Sequence, residues 1–196
     1  MSAHLHTTDC GLPGLATIPY GVHMCHFYET RTDLAAALVP YFVAGLRKRE
    51  RCLWITAEPL DAAAAAAELR NVGLDVDALA RSGALVIHHY ADFFANVKMG
   101  SEVVDLWMDE ERRALAAGYS GLRVTGNTNF VSPGDWSTFM DYEELMNQAC
   151  PERRIVALCS YLRERCAPTD VVEAVQRHSC TLDRPDEGWR ILTARI

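Results

Sequence analysis

The sequence shows neither a long apolar run nor a recognisable secretory signal. No run approaches the eighteen or so uncharged apolar residues of a membrane-spanning helix, and the longest bland stretch, the alanines at 62–67, is a helix former instead. The amino terminus has no basic segment followed by an apolar run and a small-residue cleavage site, so no secretory signal is read and a cytoplasmic protein is expected. Positive charge is also short. Nineteen Lys and Arg face twenty-six Asp and Glu, a formal net charge of −7, and nucleic-acid binding needs a basic face. The one dense basic run, "RKRER" at 47–51, falls at an expected helix end, where cations complement the helix dipole. No Cys-x-x-Cys pair occurs among the seven cysteines, which excludes the usual zinc-finger spacing. As reduced thiols they serve packing, metal binding or redox sensing.

What is present alternates between strand and helix. "HMCHFY" (23–28) reads as a strand, followed by a helix over 30–50 with Leu34, Leu38, Phe42 and Leu46 on one face, Thr30 or Thr32 at its start and a kink at Pro40. "RCLWIT" (51–56) is a second strand, and Pro59 is expected to open the alanine-rich helix. A turn and short helix (71–83), a third strand (84–89), an amphipathic helix (101–117), a fourth strand (121–126) and a helix over 135–149 follow. A fifth strand (154–161), a helix (167–178) and a terminal hairpin of 179–184 with 189–194 complete the pattern. Such alternation implies crossover units, and the apolar runs "LWI", "ALVI" and "IVAL" suit strands buried on both faces. The fold class is therefore α/β, a mostly parallel central sheet with helices on both faces. Residues 1–19 show no periodicity and read as a flexible leader before a single domain at 20–196.

In open parallel sheets ligands bind beyond the carboxyl ends of the strands. Those ends carry Tyr28, Glu29, Thr30 and Arg31; Thr56 and Glu58; His88, His89 and Tyr90; Thr125, Gly126, Asn127 and Asn129; and Cys159, Ser160 and Tyr161. A phosphate loop belongs after the first strand, yet "YETRTD" has neither glycine nor lysine and places an acid where phosphates would sit. "GLRVTGNTNF" also has no aspartate to hold magnesium, so ATP hydrolysis is not expected. For a metal or haem, His23, Cys25, Cys159, Cys166 and His178 are the soft donors, with His26 on the opposite strand face. A metal would need the first-strand donors to meet the fifth-strand region, and small buried cysteines are the competing reading. No nucleophile elbow surrounds Ser160, and adjacent His88 and His89 face opposite sides, so no catalytic residue is assigned. Trp54, Trp107 and Trp136 read first as packing residues, with Trp136 at the loop-to-helix junction.

Taken together, "HMCHFYET", "LVPYFVAGLRKRERCLWITAEP", "GLRVTGNTNF", "DWSTFMDYEELMN", "IVALCSY" and "VVEAVQRHSCTL" resemble the MEDS domain, the methanogen/methylotroph DcmR-type sensory domain. The resemblance runs from about Tyr20 to the end, and "FYET", "WITAEP" and "RVTGNT" are its most specific pieces. It implies a degenerate relative of RecA-type, circadian-clock-type ATPases whose phosphate-binding loop is lost. It also implies a ligand-sensing module in signal transduction and transcription regulation, found beside histidine kinases and DNA-binding regulators, with simple hydrocarbon derivatives as ligands. The chain carries no attached kinase or helix-turn-helix segment, so a stand-alone sensor acting through a partner protein is expected.

The leading expectation is a small molecule bound at the carboxyl edge by Tyr28, Glu29, Thr30, Arg31, Glu58, Arg123, Thr125, Asn127, Trp136 and Tyr161, with the loop at 127–135 responding. Two alternatives stay open: a metal, haem or redox sensor using His23, Cys25, Cys159, Cys166 and His178, and a ligand-free interaction module for a kinase or anti-sigma partner. Neither nucleic acid nor membrane is expected as a direct partner, and a homodimer is left open.

Overall fold

The computed structural model describes residues 6–184 and 188–193. Its centre is a seven-stranded sheet built from β3 (Val22–Tyr28), β4 (Arg51–Thr56), β5 (Leu85–His89), β6 (Leu122–Asn127), β7 (Ile155–Leu162), β8 (Cys180–Asp183) and β9 (Arg190–Leu192). The order is β5-β4-β6-β7-β3-β8-β9, and every neighbouring pair is parallel except β8 with β9. The antiparallel pair is the expected terminal hairpin; its last expected residue, Ala194, lies outside the described residues.

Side chains alternate across this sheet and divide the core in two. One face carries Met24, Trp54 and Leu158 against α1 (Arg31–Arg47), α2 (Ala62–Asn71) and α3 (Val76–Arg81). Leu34, Leu38 and Phe42 of α1 are wholly buried there, and Phe42 stacks on Trp54 at 4.7 Å. The other face carries Ile55, Val124 and Ala157 against α5 (Ser101–Ala116), α6 (Trp136–Ala149) and α7 (Pro168–Gln176). A short α4 (Tyr90–Phe93) and a 3₁₀ turn (Thr128–Phe130) edge this second face.

Local chemistry sets the helix starts. The Thr30 side chain accepts from the Asp33 amide while the Asp33 carboxylate accepts from the Thr30 amide, a reciprocal cap that satisfies two exposed donors. The start of α2 differs from expectation. It begins at Ala62, not at Pro59, because Asp61 supplies an acceptor for the Ala64 amide at 2.7 Å, and Pro59 sits in the turn that bridges Ala57 and Leu60.

The expected leader is corrected in part. Residues 1–5 lie outside the described residues, but β1 (Thr7–Asp9) and β2 (Thr17–Pro19) form an antiparallel ribbon that buries Cys10, Leu12 and Ile18. Strands of three residues are too short to register a period, which hid them in the sequence. The ribbon is locked to the sheet through ionic chemistry. Arg123 and Glu50, both fully buried, pair at 2.5 Å; Arg123 donates to the Asp9 carbonyl at 2.7 Å, and Thr8 and Tyr20 donate to Glu50 at 2.5 and 2.7 Å.

Candidate functional site

The carboxyl edge is tied together by side-chain amides. Tyr28 donates to the Asn127 oxygen at 3.0 Å, and the Asn127 nitrogen donates to the carbonyls of Ala57 and Glu58 at 3.1 and 3.0 Å. Asn129 adds a bond to the Glu58 carbonyl at 2.9 Å. The ends of β3, β4 and β6 therefore meet, with Glu58 contributing backbone. The connection where a phosphate loop would lie is only Glu29 and Thr30; both are exposed, and Thr30 is engaged in capping α1. Arg31 lies on the surface and pairs with Glu68 at 3.2 Å. Trp136 flanks an open cleft of about 180 Å³ with Val131, Leu162, Arg165, Cys166 and Asp170, and its indole donates to Glu173 at 3.0 Å.

Three expected ligand residues sit elsewhere. Arg123 lies at the amino end of β6, spent on Glu50 and the Asp9 and Tyr41 carbonyls, with its guanidinium 4.5 Å from the Tyr41 ring. Thr125 is buried and donates to the Leu158 carbonyl at 2.6 Å. Tyr161 is buried on the α6 face and donates to Glu143 at 2.7 Å.

On that α6 face the structure assembles a polar cluster. His23 of β3, Cys159 of β7, His178 after α7 and Glu143 of α6 are buried, with one donor atom from each within 4.8 Å of the others. His23 Nε2 lies 3.1 Å from Glu143 Oε2; His178 Nε2 lies 3.5 Å from the same oxygen; Cys159 Sγ lies 3.5 Å from both His23 Nε2 and Glu143 Oε2. Burial alone would raise the Glu143 pKa, but His178, His23 and the Tyr161 hydroxyl outweigh it and hold the carboxyl below its usual range. Burial, reinforced by His23, lowers His178 to about 3, so that imidazole is neutral at pH 7. Burial and then Glu143 push the Cys159 thiol far up, leaving no activated nucleophile there in the absence of a bound cation.

The expected donor set is thus split. His23, Cys159 and His178 converge. Cys25 shares the strand face of His23 but bonds to Thr181 at 3.2 Å, and burial pushes its thiol up to about 12. Cys166 lies at the rim, facing the Leu162 carbonyl. Glu143 was missed, although a signal existed: it falls between Phe139 and Met146 on the buried stripe of α6, where a solvated carboxylate has no place.

Next to the cluster is a small apolar cavity of about 30 Å³. Phe94, Trp107, Phe130, Phe139 and Met146 line it, with Gly126, His23 and Cys159 on the sheet side. Phe130 belongs to the 3₁₀ turn, whose other residues, Thr128 and Asn129, line the open cleft. The turn therefore separates the two spaces. A Cβ added at Gly126 would meet no atom within 4 Å, so this glycine leaves an opening near the carboxyl end of β6.

Solved structures share the fold, and that likeness speaks to the fold alone. A KaiC-like protein from Pyrococcus horikoshii OT3 superposes with a TM-score of 0.62 at 11% identity, covering 98% of this chain and 89% of the other. The flagellar accessory protein FlaH from Methanocaldococcus jannaschii gives a TM-score of 0.63 at 13% identity, covering 97% and 88%. These place the protein in the RecA-like class of α/β folds. The chain belongs to the MEDS family, the methanogen/methylotroph DcmR sensory domain, whose model matches residues 22–179. That span contains the whole polar cluster and the cavity. A search of curated proteins finds no match. Among the described residues, no helix is long and apolar enough to cross a membrane.

Proposed function

We propose that this sensory domain detects a small, largely apolar molecule, a simple hydrocarbon derivative, in the cavity behind Phe130. Occupancy is relayed through the turn at Thr128–Phe130 and through α6 to a signalling partner such as a histidine kinase or a transcriptional or anti-sigma regulator. Gly126 carries the reading: a strand in a tightly packed sheet gives up a side chain where doing so leaves space beside five large apolar residues. The size and lining of the space favour a molecule of a few heavy atoms over a nucleotide, and the Glu29–Thr30 connection offers no phosphate cradle.

A ligand shifts a sensor only as far as it prefers one conformation over another. Phe130 is the element placed to convert occupancy into movement, since its ring stacks 4.4 Å from Tyr90 and meets Phe139 edge-on at 6.2 Å. The test is a thermal-shift series with one- and two-carbon alcohols, amines and halides on wild type and on Gly126→Val. Concentration-dependent stabilisation of wild type alone supports the reading. No response to any compound, or an equal response in the variant, removes it.

A further inference from the structure

We propose that His23, Glu143, Cys159 and His178 bind one divalent first-row transition ion, of the zinc class, through two imidazole nitrogens, one carboxylate oxygen and one thiolate. The inference does not depend on any small molecule occupying the neighbouring cavity.

Geometry carries the argument. For metal–nitrogen and metal–oxygen bonds near 2.0–2.1 Å and a metal–sulfur bond near 2.3 Å, tetrahedral coordination separates the ligand atoms by about 3.3–3.6 Å. Four of the six separations among the donor atoms are 3.1, 3.5, 3.5 and 3.5 Å, and all six lie within 4.8 Å. Four edges of such a tetrahedron are therefore already close to their lengths, with donors brought together from two strands, one helix and the turn after another.

Hydrogen bonding points the same way. His178 Nδ1 lies 2.6 Å from the Ala174 carbonyl, which fixes its hydrogen on that nitrogen and turns a bare Nε2 lone pair towards Glu143. That Nε2 has no hydrogen-bond partner among the described residues, nor has His23 Nδ1. With Nδ1 committed to the Ala174 carbonyl, Nε2 is the ring atom left to face the Glu143 oxygen 3.5 Å away. A cation between them would give both atoms a partner.

The second layer is also present. Tyr161 holds the outer oxygen of Glu143 at 2.7 Å, and the Ala174 carbonyl orients His178, the kind of support that aims metal ligands. Charge balances as well. A +2 ion with one carboxylate and one thiolate makes a neutral unit, which suits side chains buried from solvent. Binding releases the thiol proton of Cys159 to solvent, and His23 takes the tautomer with its hydrogen on Nδ1, freeing Nε2.

The experiment uses the purified full chain, stripped with a chelator and titrated with Co²⁺ and then with Zn²⁺. One equivalent of Co²⁺ is expected to give the intense visible bands of tetrahedral cobalt with a thiolate charge-transfer band in the near ultraviolet, both displaced by Zn²⁺. Cys159→Ser should abolish the charge-transfer band and weaken zinc binding by more than about 10-fold, since outer-layer changes alone cost about 10–100-fold. Tyr161→Phe keeps the aromatic ring and should weaken zinc by about 10–100-fold, which guards against a Cys159 variant that fails to fold. Cys166→Ser should change nothing. A folded wild type that takes up no stoichiometric cobalt, or a charge-transfer band that survives Cys159→Ser, overturns the proposal. Zinc uptake without any small-molecule response would leave this site standing and remove the cavity reading; the reverse result would do the opposite.

Discussion

Replacing Gly126 with alanine should make the protein more stable, an unusual outcome for a change in a buried strand. No left-handed backbone angle holds this position to glycine, and the added Cβ meets nothing within 4 Å. Losing glycine restricts the unfolded chain, worth about 0.4–1 kcal/mol. Burying one methyl adds about 0.8 kcal/mol. Together these predict a gain of about 1–2 kcal/mol, or about 2–8 °C in Tm for a domain of this size. Urea denaturation gives the free energy and calorimetry the midpoint, both on metal-free protein, so that the polar cluster does not confound the comparison. Leucine at the same position exceeds a space of about 30 Å³ and should instead cost about 1–3 kcal/mol through overpacking. A loss of 1 kcal/mol or more in Gly126→Ala would refute the reasoning, because it would mean the Cβ meets packed atoms and no cavity stands behind β6.

Other perturbations probe the rest of the molecule. Glu50→Ala leaves Arg123 charged and buried without its partner and should cost about 3–5 kcal/mol by chemical denaturation, whereas an exposed pair such as Arg31–Glu68 should contribute under about 1 kcal/mol when either side is removed. Gly11→Ala should destabilise by more than about 1 kcal/mol, since Gly11 has φ +84° and its Cβ would lie 2.3 Å from the Pro40 carbonyl oxygen; unchanged stability would show that the amino-terminal ribbon is not packed on α1. Burial lowers the pKa of His26 to about 4, so the unfolded chain takes up its proton first as pH falls. Its contribution is complete above about pH 6.5, declines between there and about 4, and amounts to at most about 3 kcal/mol; His26→Gln should flatten that part of the stability profile.

Much of the frame could be read from residues. Strands buried on both faces announce themselves as unbroken apolar runs, so β4 and β7 are legible in "LWI" and "IVAL"; "ALVI" also marks a strand, but β5 lies at the sheet edge with only Leu85 buried. Residue type and position narrow the cap of α1 to Thr30 or Thr32, and the structure uses Thr30. What escaped depended on partners distant in sequence. Arg123 looked like a ligand anchor because a strand pattern does not reveal what meets its amino end, and its partner Glu50 lies 73 residues away. His23, Cys159 and His178 were suspected as donors, but Glu143 becomes visible only when α6 is laid across β3 and β7. Cys25 fails as a fourth donor although it shares a face with His23, because alternate strand residues stand well apart and Thr181 occupies its sulfur. The cavity was least legible of all, since an absent side chain at Gly126 has no signature until the surrounding rings are in place.

The strand order has a consequence for the timing of synthesis. β3 is the first strand of the main sheet to be made, yet both its partners come late: β7 begins at residue 155 and β8 at residue 180. About 127 residues separate the end of β3 from the start of β7, which at ribosomal rates of about 5–20 residues per second is a wait of roughly 6–25 s. Meanwhile β4, β5 and β6 can pair among themselves as they emerge. The nascent chain therefore carries an apolar strand with two open edges through most of its synthesis, and shielding that strand until β7 arrives is a task for whatever attends the ribosome.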